Sequence, residues 1–299
     1  MILVSACLLG ENCKYTGGNN RNEAVLSFVE GKEYIPFCPE QAGGLPTPRL
    51  PSEICGDTVV SCEGDDVTEY FRLGAARALA DLCIPLLGVN FGRVGFLTEV
   101  PADDWQIWME ALFAGYFHKE CHTALAWRAL RPEAGADPRP LASGWAINDV
   151  VAARGQVARA VSLDLTVDGV FLSRLRCDGL IMSTPLGATA YSASSGGPLA
   201  FPTLDAHIIT AISPFAGAFP PLVLPAATPV TLTASGDNDD VHLTVDGQES
   251  LPLQSGDILE VQGVPDRTPL LVRDPRWYLR RLGQRGFILP GPGNYASLH

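Results

Sequence analysis

Basic residues are scarce in this chain: 21 Lys and Arg stand against 33 Asp and Glu, for a formal charge of −12. Affinity built on cations meeting a phosphate backbone is therefore disfavoured, and no general nucleic-acid binding is expected. Apolar runs of about 18 residues are missing, so no membrane span is expected. The opening MILVSACLLGENC lacks the basic segment and the apolar length of a secretory signal, which points to the cytoplasm. The eight cysteines, at 7, 13, 38, 55, 62, 83, 121 and 177, are too dispersed for a disulfide framework, and reduced thiols are expected. The five histidines offer one pair at ligand-like spacing, His118 and His122, read as surface polarity on a helix rather than as zinc ligands. Internal repeats are absent. The 299 residues leave room for two domains with a core that needs no covalent staples.

What is present divides into two textures. MILVSACLLG reads as a strand running into the turn-rich ENCKYTGGNNRN, and EAVLSFVEGKEYIPFCPE as a helix, a turn and a second strand. QAGGLPTPRLPSEICGD is a proline-punctuated loop. DVTEYFRLGAARALADLC carries Val67, Phe71, Ala75, Leu79 and Leu82 at helical spacing. IPLLGVNFGRVGFLTEV is a strand feeding a glycine-rich turn, DDWQIWMEALFAGYFHK a helix, and RPEAGADPRPLASG a loop. From WAINDVVAARG onward the period becomes two, with alternating stretches separated by VDG, SG and DG turns. The expected fold class is an α/β N-terminal region followed by a mainly β C-terminal domain.

Residues 176 to 201, RCDGLIMSTPLGATAYSASSGGPLAF, begin with a short apolar run and then give up side-chain volume over many positions. LIM reads as a buried strand, and the small residues after it let backbone approach a bound molecule closely.

Four stretches, IPLLGVNFGRVGFLTE, NDVV, RCDGLIMSTPLGATAYSASSGGP and TVDGQE, occur in an order and spacing through which residues 75–282 resemble the NAD kinases. The resemblance implies a β-rich domain that holds the dinucleotide beside an α/β domain, in subunits that form dimers or tetramers. It implies that NAD and ATP are substrates, with Mg²⁺ or another divalent cation, and that NADP is the product. Carried over by motif, Asn148 and Asp149 would hold the ribose and adenine groups, with Thr189, Ala190, Tyr191 and Ser194 in the loop around the adenosine. Asp178 would reach substrate amide or ribose groups, often from a neighbouring subunit. Arg159 and Arg176 would flank the phosphates, and Asn90, Phe96 and Gln248 fall at pocket positions. The residue types suit this chemistry: carboxylate and amide match ribose hydroxyls, and a tyrosine ring offers a stacking face.

The family's GGDG, whose Asp takes the 2′-hydroxyl proton, is missing here. In register Glu69 stands at that place, within VTEY, and is the candidate base; the catalytic residue is otherwise unassigned. Leu186 and Ala188 replace hydroxyl-bearing residues of the loop, and Phe215 and Pro220 replace a His and an Arg. Residues 1–74 resemble a second family, the thiouracil and 2-thiouridine desulfidases, through VSACLLGENCKYTGG, FCPEQAGGLPTPRLPSEI and GDDVTEYFRLGA. That resemblance makes Cys7 and Cys13 candidate iron–sulfur ligands and Glu40 an assisting acid. The third cysteine motif of the family is absent, which argues against a stable cluster unless Cys38, Cys55 or Cys62 replaces that ligand.

The expected organisation is a desulfidase-like fragment (1–74), the remainder of an α/β nucleotide-binding region (75–120), a β-rich NAD-binding domain (121–270) and a C-terminal segment (271–299). The expected function is NAD kinase-like phosphorylation of the adenosine ribose, with activity impaired by the lost GGDG. The alternatives are a non-catalytic dinucleotide-binding protein and an iron–sulfur desulfidase remnant.

Overall fold

A computed structural model describes residues 2–55, 58–82, 85–90, 96, 100–101, 105–155, 159–215, 219–236, 240–247 and 249–288. The chain forms two compact units, Met1–Ile84 and Pro85–His299.

In the first unit β1 (Ile2–Ser5) runs into a 3-10 turn, Ala6–Leu9, closed by Gly10 in the left-handed region. Helix α1 (Glu23–Val29) starts at Asn22, whose side chain accepts from the Val25 N–H. β2 (Tyr34–Phe37) pairs in parallel with β1, and the short α2 (Pro39–Ala42) follows. The hairpin β3 (Ser52–Cys55) and β4 (Thr58–Ser61) leads to α3 (Thr68–Leu82). Asp66 prepares that helix, accepting from both the N–H and the hydroxyl of Thr68. Gly74 of α3 is required by contact, since a Cβ there would lie 2.0 Å from the Pro39 carbonyl oxygen.

The second unit opens with β5 (Val89–Asn90) and β6 (Val100–Pro101), then α4 (Trp105–Phe113). The remaining strands are β7 (His118–Glu133), β8 (Ala136–Ala146), β9 (Asp149–Arg154), β10 (Val161–Val167), β11 (Val170–Cys177), β12 (Gly179–Ser183), β13 (Ala206–Ile212), β14 (Leu222–Pro225), β15 (Val230–Ser235), β16 (Val241–Val245), β17 (Glu249–Leu253) and β18 (Ile258–Val272). Between β12 and β13 lie a 3-10 turn, Leu186–Thr189, and α5 (Tyr191–Ser194); α6 (Trp277–Gln284) comes last. Two antiparallel six-stranded sheets result, in the orders β11-β10-β15-β18-β7-β8 and β14-β13-β12-β9-β16-β17.

Alternation explains the layering. β10, β15 and β16 bury every second residue, so Leu163, Leu165, Leu232 and Leu243 meet Leu180, Met182 and Ile209 in one core between the sheets. Each such side chain contributes about 1.5–3 kcal/mol on burial. β12 departs from alternation: all five residues are buried, because the small-residue segment after it covers its outer face. Ala188 and Ala200 pack there with Ile208.

Two sequence expectations are corrected. RPEAGADPRPLASG is a β-hairpin arm, not a loop: β7 turns at Ala134–Gly135 into β8. Pro138 and Pro140 are tolerated because β8 is the sheet's outer strand, where a missing N–H breaks no inner ladder. His118 and His122 lie on strand β7, not on a helix, and His122 is buried at 1% exposure. Its Nδ1–H donates to the Pro202 carbonyl at 3.0 Å, so it is part of the packing rather than surface polarity.

Candidate nucleotide site

The loop before β9, the end of β12 and the turn between β16 and β17 converge on Ile147, Asn148 and Asp149. β12 pairs with β9 so that Ser183 faces Asp149, and Thr184 continues beyond the ladder. The Thr184 N–H donates to the Asn148 carbonyl (2.9 Å) and its hydroxyl to the Ile147 carbonyl (2.6 Å). That hydroxyl also accepts the Gly187 N–H at 2.9 Å. At Gly187 a Cβ would sit 2.1 Å from the Asn148 carbonyl oxygen, so the glycine lets the two backbones touch. Opposite them, Asp246 stands at φ 48° in the VDG turn, and its carboxylate accepts the N–H groups of Ile147 (2.9 Å), Asn148 (2.7 Å) and Asp149 (3.0 Å).

Asp149 is 5% exposed. Burial, reinforced by the neighbouring Asp246 charge, pushes its carboxyl up to about 6, against the opposing hydrogen bond from the Tyr191 N–H. That bond brings the TAYS segment to the same corner: Thr189 is half-buried, and Ala190, Tyr191 and Ser194 are exposed, with Tyr191 keeping 45% of its surface. The segment is anchored behind by Ser192, whose hydroxyl lies 3.0 Å from that of Thr210. A buried carboxylate, an amide, an open tyrosine ring and close-packed backbone thus share one corner, and the set can hydrogen-bond a diol and stack on a flat base.

Other expected residues stand elsewhere. Gly179 pairs with Ala153 at the opposite end of β12, about 13 Å from Asp149 at 3.3 Å per residue. There Asp178 accepts from Arg154 Nε at 3.0 Å, and the Arg176 guanidinium lies 5.5 Å from the centre of the exposed Phe215 ring. Arg159 is exposed two residues before β10. Phe96 packs edge-on against Trp277, Tyr278 and Phe287, in the cluster that also holds Ile147 and Leu186. Asn90 forms the end of β5, and Gln248 lies outside the described residues. Leu186 and Ala188 point inward, into two apolar clusters, so their exchange for hydroxyl residues changes packing beneath the loop. Asp246 escaped the sequence reading, in which its turn looked like ordinary hairpin chemistry; an acid at the left-handed position of VDG was the available signal.

With this geometry in place, comparison with known proteins is informative. Residues 147–272 match the ATP-NAD kinase C-terminal domain and residues 64–117 the ATP-NAD kinase N-terminal domain. An NAD kinase of Nitratidesulfovibrio vulgaris (strain DP4) is 44% identical over 216 residues, 72% of this chain and 71% of that protein. The chain belongs to the NAD kinase family. Among solved structures, yeast NADH kinase complexed with NADH is similar with a TM-score of 0.59 and 27% identity, over 66% of this chain and 57% of that one. An NAD kinase from Archaeoglobus fulgidus in complex with ATP gives 0.52 and 25%, over 67% and 75%. These kinases share the fold over about two thirds of this chain.

Residues 2–86 match 2-thiouracil desulfurase. In that unit the Cys7 and Cys38 thiols neighbour Cys13, and burial first, then these thiols, push Cys13 up to about 11. Glu40 accepts from Arg49 Nε at 2.5 Å, and the Arg49 side chain is 4% exposed. Among the described residues no group of three or more His, Cys, Asp or Glu is placed to hold a metal ion. Glu69, the candidate base, is exposed on α3 and pairs with Arg72 Nη1 at 2.9 Å. Among the described residues no helix is long and apolar enough to cross a membrane.

Proposed function

We propose that the protein holds the adenosine half of NAD at the Asn148–Asp149 corner and passes a phosphoryl group from ATP to the ribose 2′-hydroxyl, yielding NADP. One observation carries this reading: the buried Asp149 carboxyl accepts the N–H of the half-exposed Tyr191, which brings the TAYS segment to the Asn148–Asp149 corner of a kinase-family fold. Asp149 and Asn148 bind ribose hydroxyls and the adenine edge, Thr189, Ala190 and Ser194 shape the loop, and Tyr191 stacks. Asp178, Arg159 and Arg176 serve the phosphates and the second nucleoside, and the 13 Å gap to Asp149 favours their doing so for a neighbouring copy in a dimer or tetramer.

The divalent cation that travels with a nucleoside triphosphate is held chiefly by its phosphates, and we assign it no protein ligand. Without GGDG the candidate base is Glu69, an exposed carboxylate paired with Arg72 on α3, so slow turnover is expected; removing a positioned base costs about 10²–10⁴ in rate. The absence of GGDG also favours a second reading, a dinucleotide-binding protein without catalysis. We keep the four-part division at 74, 120 and 270, and the cytoplasmic placement, as part of this proposal.

Calorimetric titration with NAD, paired with a coupled assay for NADP from NAD, ATP and Mg²⁺, tests both readings. Binding with turnover that Glu69→Gln abolishes supports the kinase with a substitute base. Binding with no turnover in any variant supports the second reading, and no binding at millimolar NAD ends both.

A further inference from the structure

We propose that Asp246 is a positioning residue for the nucleotide corner, its carboxylate gathering three successive backbone N–H groups so that Asn148 and Asp149 present their side chains at a fixed angle. The inference rests on the nucleotide-binding reading above.

The contacts are more than a turn requires. The same VDG sequence recurs at 167–169, with Asp168 at φ 49° against 48° for Asp246. Asp168 is exposed, and its N–H donates to the Pro229 carbonyl. Asp246 instead reaches across to residues 97 to 99 positions earlier and accepts all three of their N–H groups. Its own N–H returns a bond to the Asp149 carbonyl at 2.9 Å, so the two segments are tied in both directions. The left-handed backbone that aims the carboxylate is one which acidic and amide residues adopt most readily after glycine.

The clamp has an electrostatic cost that a purely structural acceptor would avoid. Asp246 sets a second negative charge beside the buried Asp149, and that charge is one cause of the raised Asp149 proton affinity. The groups facing Asp149 are Asp246 from the β16–β17 turn, the Tyr191 N–H from the loop, and Ser183 across the β12 ladder. A serine or asparagine at 246 would close the turn without this repulsion. The three N–H donors fall two on Oδ1 and one on Oδ2, so both oxygens must accept, which a carboxylate allows and an asparagine, with NH₂ in place of one oxygen, does not.

The test is NAD affinity by calorimetry from pH 5 to 8 on the full chain, with Asp246→Asn, Asp246→Glu and, as matched control, Asp168→Asn. Native protein is expected to bind more tightly as Asp149 ionises near pH 6. Asp246→Asn should weaken binding by about tenfold or more, as expected for a mispaired donor, and should move the inflection down toward an ordinary carboxyl. Asp246→Glu keeps the charge but displaces it by a methylene, so it should weaken binding while the inflection stays near 6. Asp168→Asn should change neither. If Asp246→Asn does not fold, Asp246→Glu carries the test alone. Native-like affinity in either folded 246 variant, or an unmoved inflection in Asp246→Asn, overturns the inference while leaving the nucleotide site standing; absent binding by the native chain removes both.

Discussion

Replacing Asp149 by Asn should make the protein more stable at neutral pH while weakening its grip on NAD. Asp149 is 5% exposed with Asp246 beside it, and its carboxyl is raised from 3.8 to about 6. That difference corresponds to roughly 3 kcal/mol. The sign follows from which state holds the proton. Between about pH 4 and 6 the native chain keeps it and the unfolded chain has lost it, so this group's stability contribution is fully present below pH 4 and disappears as pH rises through 6. At pH 8 the native fold bears the whole cost of a buried anion. Asparagine cannot ionise, and its carbonyl can still accept the Tyr191 N–H. Asp149→Asn should therefore gain about 1–3 kcal/mol at pH 8 and nothing at pH 4. Urea unfolding of the full chain at pH 4, 6 and 8, following the transition of the larger unit, measures the gain, and calorimetry measures the loss of NAD affinity. A gain independent of pH, or none at pH 8, refutes the reasoning.

Three further outcomes are expected. Thr184→Val strands the buried Gly187 N–H and removes the donor to Ile147, costing about 2–4 kcal/mol, whereas Thr184→Ser keeps both bonds; calorimetric melting of the two variants separates them. Gly187→Ala forces a Cβ to 2.1 Å from the Asn148 carbonyl and should lower both stability and NAD affinity, while Gly283→Ala, with nothing within 4 Å in α6, should stabilise by up to about 1 kcal/mol. Iodoacetamide at pH 8 should label exposed Cys62 well before Cys13 or Cys177: burial holds both of these near 11, leaving about one thiolate in a thousand. Mass spectrometry of partial labelling reads the order.

Much of the β-rich unit was legible because alternation records which face is buried. The core strands β10, β15 and β16 fall where period-two stretches predict them, and LIM lies in the fully buried β12. The β7–β8 arm was hidden by Pro138 and Pro140, which signal a loop unless the strand is known to be outermost, and sheet order is not a local property. His122 looked like surface polarity because its burial depends on Pro202, 80 residues away. At the site, the motif resemblance pointed to the Asn148–Asp149 pair and the TAYS loop, which the Tyr191 N–H bond to Asp149 brings together. It could not announce that Leu186 and Ala188 face inward, nor that one of two identical VDG turns reaches back to a distant strand.

The span of that reach governs when the site can exist. The corner's amide and acid are in place by residue 149, yet the carboxylate that fixes them arrives only at 246. During synthesis the chain carries Asn148 and Asp149 for nearly a hundred residues before their backbone partner exists. A product cut or stalled short of β16 would carry Asn148, Asp149 and the TAYS segment and still lack the carboxylate that ties their backbone in place.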